Sequence, residues 1–261
     1  MLNNQKCNHR YEKQGERMVC TLCGRQYMDL KETKHDGLLI GKKTDGKSYS
    51  VRTSRSRYFF PDEWEKFVSK VNEKNKIIFE ALLITGARIT ELMMLKKSHI
   101  VIDNGYLILY TTKVKSKKSE TRPKQREVTL PKSFAINLKS YISGMNDNDY
   151  IFLNNSQLVN KDKKQIMSIA KRRGANVYQM FRRYMEASGI EDHWNFSLHN
   201  IRKTCGMWLK ALNVKIEEVC FRLGHDFNTY LKHYGSADRF TRSDLMRIEK
   251  SLKVFTVFEF N

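Results

Sequence analysis

The sequence predicts a mainly α fold with a small antiparallel β-sheet, preceded by a small cysteine-bearing module. Three observations carry this reading. Apolar residues recur at spacings of three and four over most of the chain beyond Arg57. Two β-branched and aromatic runs, 106–112 and 126–130, flank a basic loop at 113–124 and predict a hairpin with a long charged tip. Cys7, Cys20 and Cys23 crowd the N-terminus, whereas Cys205 and Cys220 stand alone in apolar surroundings. With 261 residues, 40% hydrophobic and 11% aromatic, the chain can bury a core, which excludes wholesale disorder and low-complexity architectures.

The elements follow in order. Residues 1–41 hold little apolar material and need a staple to fold. Residues 42–57 are rich in Lys, Arg and Ser, which suits a basic linker lying along a phosphate backbone. Residues 58–261 form the globular domain. Pro61, Asp62 and Glu63 open a helix, because proline loses nothing at the first turn and acids suit the helix dipole. Trp64, Phe67, Val68 and Val71 give it one apolar face. Further helices are expected over 76–85 and 88–97, separated by Gly86. After the hairpin the signals are helical again, with Val177, Met180, Phe181 and Tyr184 as one stripe. The tail beyond Phe240 carries Leu245, Ile248 and Leu252, which can dock on their own domain or on a neighbour. No period of 20 to 50 residues repeats, so solenoids and propellers are excluded.

Lys and Arg total 48 against 28 Asp and Glu, a formal charge of +20. Such a field attracts polyanions, with nucleic acid the first expectation and an anionic membrane the weaker one. No apolar run approaches the ~20 residues of a membrane span, and the first thirty residues mix charges with cysteines, so a cytoplasmic protein is expected.

At the N-terminus, Cys7-x-His9 and Cys20-x-x-Cys23 followed by Gly24 place two ligand pairs around a short loop. Soft and borderline donors so close together, with no core to bury them, predict one structural zinc ion. The first pair is tighter than usual, so His9 is the least secure ligand and His35 the substitute. The segment GKKTDGKS at 41–48 satisfies a phosphate-loop pattern, but no full strand leads in and no amphipathic helix leads out, which argues against a nucleotide site.

Four pieces of the globular domain are ordinary one by one. TGARITELMML places Arg88 and Glu91 one helical turn apart. LILYTTK ends a strand on Lys113. LHNIRKTCGMWL sets His199 and Arg202 at i and i+3. LGHDFNTYLKHYG sets Tyr234 nine positions beyond His225. In this order, ARxxEL, a hairpin lysine, HxxR, LGH and a tyrosine resemble the catalytic signature of the tyrosine recombinase (phage integrase) family. The resemblance spans 58 to about 236. It implies the tyrosine recombinase catalytic fold and a site-specific recombinase or integrase of a virus or other mobile element, acting on double-stranded DNA as a homotetramer. Family members usually carry a helical clamp domain before this one; here the cysteine module and basic linker precede it, and either these form a minimal clamp or the protein needs a partner.

Carried to matching positions, the resemblance makes Tyr234 the nucleophile and Lys113 the general acid for the 5′ oxygen. His199 assists proton transfer, His225 hydrogen-bonds the scissile phosphate, and Glu91 orients Arg88. The residue types suit the task. A phenol is a weak nucleophile until cations surround it, and the planar forks of Arg88 and Arg202 match a phosphate and stay charged. A 3′-phosphotyrosyl link conserves the bond for rejoining, so no cofactor is expected for catalysis. Tyr230, four residues earlier on the same helical face, is the rival nucleophile. The alternatives are a DNA-binding protein without catalysis and a DNA-relaxing enzyme of the type IB topoisomerase kind.

Overall fold

The computed structural model describes the backbone of 11–14, 17–20, 26–27, 40–42 and 48–50, and then residues 57–101, 105–110, 125–191, 193–234 and 240–252. The chain divides into two units, Met1–Arg55 and Ser56–Asn261.

In the first unit, β1 (Tyr11–Gln14), β2 (Arg17–Cys20), β3 (Gln26–Tyr27), β4 (Ile40–Lys42) and β5 (Ser48–Ser50) form an antiparallel sheet in chain order. Cys20 closes β2 opposite Tyr11. Cys7, His9, Cys23 and His35 lie outside the described residues. The stretch read as a basic linker contributes β5 and the end of β4. Within GKKTDGKS, Gly41 pairs with Tyr49 and Lys42 with Ser48. A strand therefore leaves Ser48 where a phosphate loop needs a helix N-terminus.

The second unit is mainly helical around a small sheet, as the periodicity predicts. Helix α1 (Pro61–Lys70) has proline at its start and buries Trp64 and Phe67. The Glu63 carboxylate accepts the Phe60 N–H at 2.9 Å and the Arg57 guanidinium at 2.7 Å. Arg57 also lies 4.5 Å over the Phe196 ring and is only 3% exposed. This corrects its reading as a phosphate-facing arm residue. The aromatic and acidic neighbours supplied by the fold make it a staple of the core.

Helix α2 (Glu73–Thr85) starts a few residues earlier than expected, because the Asn72 side chain accepts the Asn75 N–H at 3.0 Å and caps it. It ends at Gly86, whose φ of 57° is the left-handed conformation that favours glycine. Helix α3 (Ile89–Met93) is far shorter than the expected 88–97. The Leu95 carbonyl is taken by the Ile151 N–H, and the Lys97 and Ser98 N–H groups are taken by Asp149 and Asp147. A distant segment captures these backbone groups, so the helix cannot propagate.

Strands β6 (Ile100–Val101), β7 (Tyr106–Tyr110) and β8 (Gln125–Thr129) form the antiparallel sheet. The hairpin is the expected one. The two-residue edge strand β6 is too short to show a period. Along β8 burial alternates, with Arg126 and Val128 turned inward. The remaining helices are α4 (Lys132–Tyr141), α5 (Lys163–Ala187), α6 (Leu198–Ala211), α7 (Ile216–Leu223), α8 (Phe227–Tyr234) and α9 (Arg242–Leu252). Helix α6 is the buried centre. It packs on α2, α7 and α8, with Ile201, Cys205, Met207 and Trp208 in the core. The tail docks on its own unit as far as it is described: α9 packs on α1, Ile248 is buried, and Phe240 lies against Tyr58 and Phe60. Among the described residues, no helix is long and apolar enough to cross a membrane.

Candidate active site

The TGAR segment is held from both ends. The Thr85 hydroxyl donates to Ala81 O at 2.6 Å and accepts the Ala87 N–H at 3.1 Å, which shapes the turn at Gly86. Arg88 is then the residue just before α3. Its N–H donates to one Glu91 carboxylate oxygen at 3.0 Å and its guanidinium to the other at 2.7 Å. The spacing seen in the sequence thus closes into a local clamp that leaves the Arg88 side chain partly exposed.

Glu91 itself is buried and meets a second cation, the Arg126 guanidinium, at 2.7 Å. Burial pushes its carboxyl up, but Arg126 first and Arg88 next outweigh that and hold it below the usual carboxylate range. Glu91 is therefore a carboxylate between two guanidiniums.

Arg202 projects from α6 and is 1% exposed. One Nη donates to Gly86 O. The other donates to Leu223 O and lies 2.8 Å from His225 Nε2. Because the guanidinium can only donate, His225 Nε2 accepts, and the proton of a neutral imidazole sits on Nδ1. Burial, then the nearby Arg88 charge, depresses the Arg202 pKa to about 9, so the group remains a cation at neutral pH. Its Nε is buried and has no acceptor among the described residues.

Tyr234 is the last residue of α8 and is 1% exposed. Its ring stacks on Tyr230 at 5.3 Å and lies 5.9 Å from the His225 ring. Burial raises the phenol pKa, and the Arg202 and Arg88 charges offset that only in part. The hydroxyl is thus protonated at neutral pH and needs a proton acceptor when it reacts.

Four expected site residues, Arg88, Arg202, His225 and Tyr234, are therefore brought together by the α2–α3 turn, α6, the α7 C-terminus and α8. His199 stands on the exposed side of α6, one turn before Arg202. Lys113 lies outside the described residues. The nearest described point of its strand is Tyr110, paired with Gln125.

Sequence reasoning misses two residues at the site. Arg126 falls in the second hairpin run, where a charge at an inward position of an alternating strand is a signal of a buried acid partner. Gly206 lies in the HxxRxxxG stretch of α6. A Cβ there would sit 2.5 Å from Tyr234 Cε1 and 2.9 Å from Leu223 Cδ1. The missing side chain is the slot into which the tyrosine ring fits. Gly206→Ala is expected to lower stability by about 1–3 kcal/mol through overpacking, despite the helix propensity gained, and to displace Tyr234. Thermal unfolding checks the first effect and a crystal structure of the variant the second.

Comparison with known proteins agrees with this fold. The Tyrosine recombinase XerA of Thermococcus kodakarensis is 25% identical over 158 residues, covering 60% of this chain and 49% of the relative. The chain thus spans about half the length of that protein. In fold, the crystal structure of XerA recombinase superposes with a TM-score of 0.52 at 20% identity, covering 74% of this chain and 64% of that one. The Tn1549 transposon integrase in complex with transposon right end DNA gives 0.50 at 18% identity, covering 74% and 65%. Residues 57–239, which run from the Arg57 staple through α1 to just past Tyr234, match the phage integrase family. That match takes in the turn, hairpin and helices that build the site, and the chain belongs to the phage integrase family.

Proposed function

We propose that this chain is a site-specific DNA recombinase, an integrase of a virus or other mobile element, that cuts and rejoins double-stranded DNA through Tyr234. The observation that carries the reading is the buried Arg202 guanidinium. It is anchored on Gly86 and Leu223, beside His225 and Tyr234, with an Nε that has no acceptor among the described residues. A fixed cation with an unused donor is a preorganised place for a phosphate oxygen.

In the proposed reaction the Tyr234 oxygen attacks the scissile phosphorus as its proton passes to His199. The bond from phosphorus to the 5′ oxygen breaks, and that oxygen takes its electron pair and a proton from Lys113. Arg88 and Arg202 neutralise the nonbridging oxygens, and His225 turns from Arg202 to the phosphate. The product is a 3′-phosphotyrosyl link and a free 5′ hydroxyl, and reversal with another 5′ end exchanges strands. The chemistry needs no cofactor. As in the resemblance, the acting form is a homotetramer on two duplexes.

A pool of nicked suicide duplexes with randomised arms tests the proposal. Wild-type protein should trap one enriched sequence as a covalent adduct, and peptide mapping should place the DNA on Tyr234. A pool that traps nothing would leave a DNA-binding protein without catalysis, and relaxation of any supercoiled plasmid without site preference would favour the type IB topoisomerase reading.

The N-terminal unit is proposed to carry one structural zinc on Cys7, His9, Cys20 and Cys23. The donor set is right for a tetrahedral ion, and Cys20 stands at the end of a hairpin strand. The ion would lock the short sheet. Elemental analysis should give one zinc per chain and a loss of zinc in Cys20→Ser. Less than half an equivalent in the wild type would overturn the assignment.

A further inference from the structure

Arg126 makes two contacts that span the site. Its Nη2 donates to Glu91 Oε2 at 2.7 Å, and through Glu91 it faces Arg88. Its Nε donates to Arg222 O at 2.8 Å, in the last turn of α7, immediately before Leu223 and His225. Gly224, with a left-handed φ of 58°, ends that helix. The Arg126 guanidinium packs directly against this glycine, since a Cβ built there would lie in ordinary van der Waals contact, 3.4 Å from Nη1. Both partners of the pair are essentially sealed from water, with side-chain exposures of 1% for Arg126 and 0% for Glu91. Arg126 also pairs with Leu109 in the sheet, one position from the last described pair of the hairpin, Tyr110 and Gln125. One side chain thus fastens the Arg88 clamp, the turn that carries His225 and the base of the hairpin that leads to residue 113.

We propose that Arg126 is a positioning residue for the phosphate-binding cations, setting Arg88 through Glu91 and His225 through the α7 C-terminus. The inference rests on the recombinase reading above. Arg88 holds both oxygens of the Glu91 carboxylate, one through its N–H and one through its guanidinium, but both donors belong to the same residue of a short local clamp. The second guanidinium adds a charged donor at 2.7 Å to the oxygen that the Arg88 N–H also holds, and so ties the clamp to β8 and the α7 C-terminus. Lysine cannot replace it, since an ammonium lacks the flat fork that reaches Glu91 and the Arg222 carbonyl together.

The test compares two esters of the sequence selected by wild-type protein from the randomised suicide duplexes. One carries the scissile phosphate, and the other a methylphosphonate, which has no negative nonbridging oxygen. With phosphate, Arg126→Lys should form the Tyr234 adduct at least about 30-fold more slowly than wild type, while DNA affinity stays within about threefold. With methylphosphonate the deficit should shrink below about threefold, because misplaced cations matter less when there is no charge to neutralise. Should Arg126→Lys fail to fold, the double variant Glu91→Gln with Arg126→Gln removes both buried charges and should show the same relief. Wild-type rates on phosphate would overturn the proposal. An equal deficit on both esters would do so as well, because it would make Arg126 a purely structural residue. If wild-type protein traps no adduct from the pool, the recombinase reading itself fails and this inference falls with it, whereas a working wild type isolates the question to Arg126.

Discussion

Tyr234→Phe is expected to abolish the covalent protein–DNA adduct, by at least about 10³-fold, with folding and DNA binding preserved. The ring occupies the slot opened by Gly206 and stacks on Tyr230, and those contacts use carbon atoms that phenylalanine keeps. Only the hydroxyl goes, so unfolding temperature and DNA affinity should barely move. Tyr230→Phe is the control. Tyr230 is also buried and stacks on the same ring, while Tyr234 stands at the expected nine positions beyond His225 and feels the Arg202 and Arg88 charges. Adduct formation should therefore survive in Tyr230→Phe. An adduct that persists in Tyr234→Phe and vanishes in Tyr230→Phe would move the nucleophile by one helical turn.

Arg202→Lys is expected to slow adduct formation by about 10²–10³-fold with a small loss of DNA affinity, and to cost stability as well. Lysine keeps a charge, but its single nitrogen cannot serve Gly86 O, Leu223 O and His225 at once. At least one buried carbonyl loses its donor, a penalty of about 1–3 kcal/mol. The α2 turn and the α7 C-terminus would lose their common tie. Single-turnover kinetics on the trapped substrate, together with thermal unfolding, separate the two effects. A wild-type rate in a variant of lowered stability would make Arg202 a structural residue only.

How much of this was legible in the sequence depends on the range of the interactions. The start of α1 at Pro61, the turn at Gly86 and the Arg88–Glu91 clamp are decided within a few residues, by proline's missing N–H, a left-handed φ and a one-turn spacing. Each was readable for that reason, as was the hairpin. The end of α3 was not readable. The groups that stop it come from 147–151, some fifty residues away by the numbering. Arg57 shows the same limit in a charged stretch, since composition grouped it with a basic arm while Glu63 and Phe196 draw it into the core.

The sequence by itself determined the composition of the candidate site: ARxxEL, HxxR, LGH and a tyrosine nine positions on, in an order that resembles the family signature before any contact is known. It also determined the helical periods that carry them. Only the tertiary structure decided which groups meet. Arg202 reaches across 116 positions to Gly86, and Arg126 reaches across 96 to the end of α7 and 35 to Glu91. Gly206 became a slot only when Tyr234 was laid against it. Local propensity acts through backbone sterics and neighbours three or four residues away, so it leaves a trace in spacing. A buried ion pair between distant elements leaves no such trace. It exists because packing expels water from a charge, and the charge must then find its partner wherever the fold has placed it.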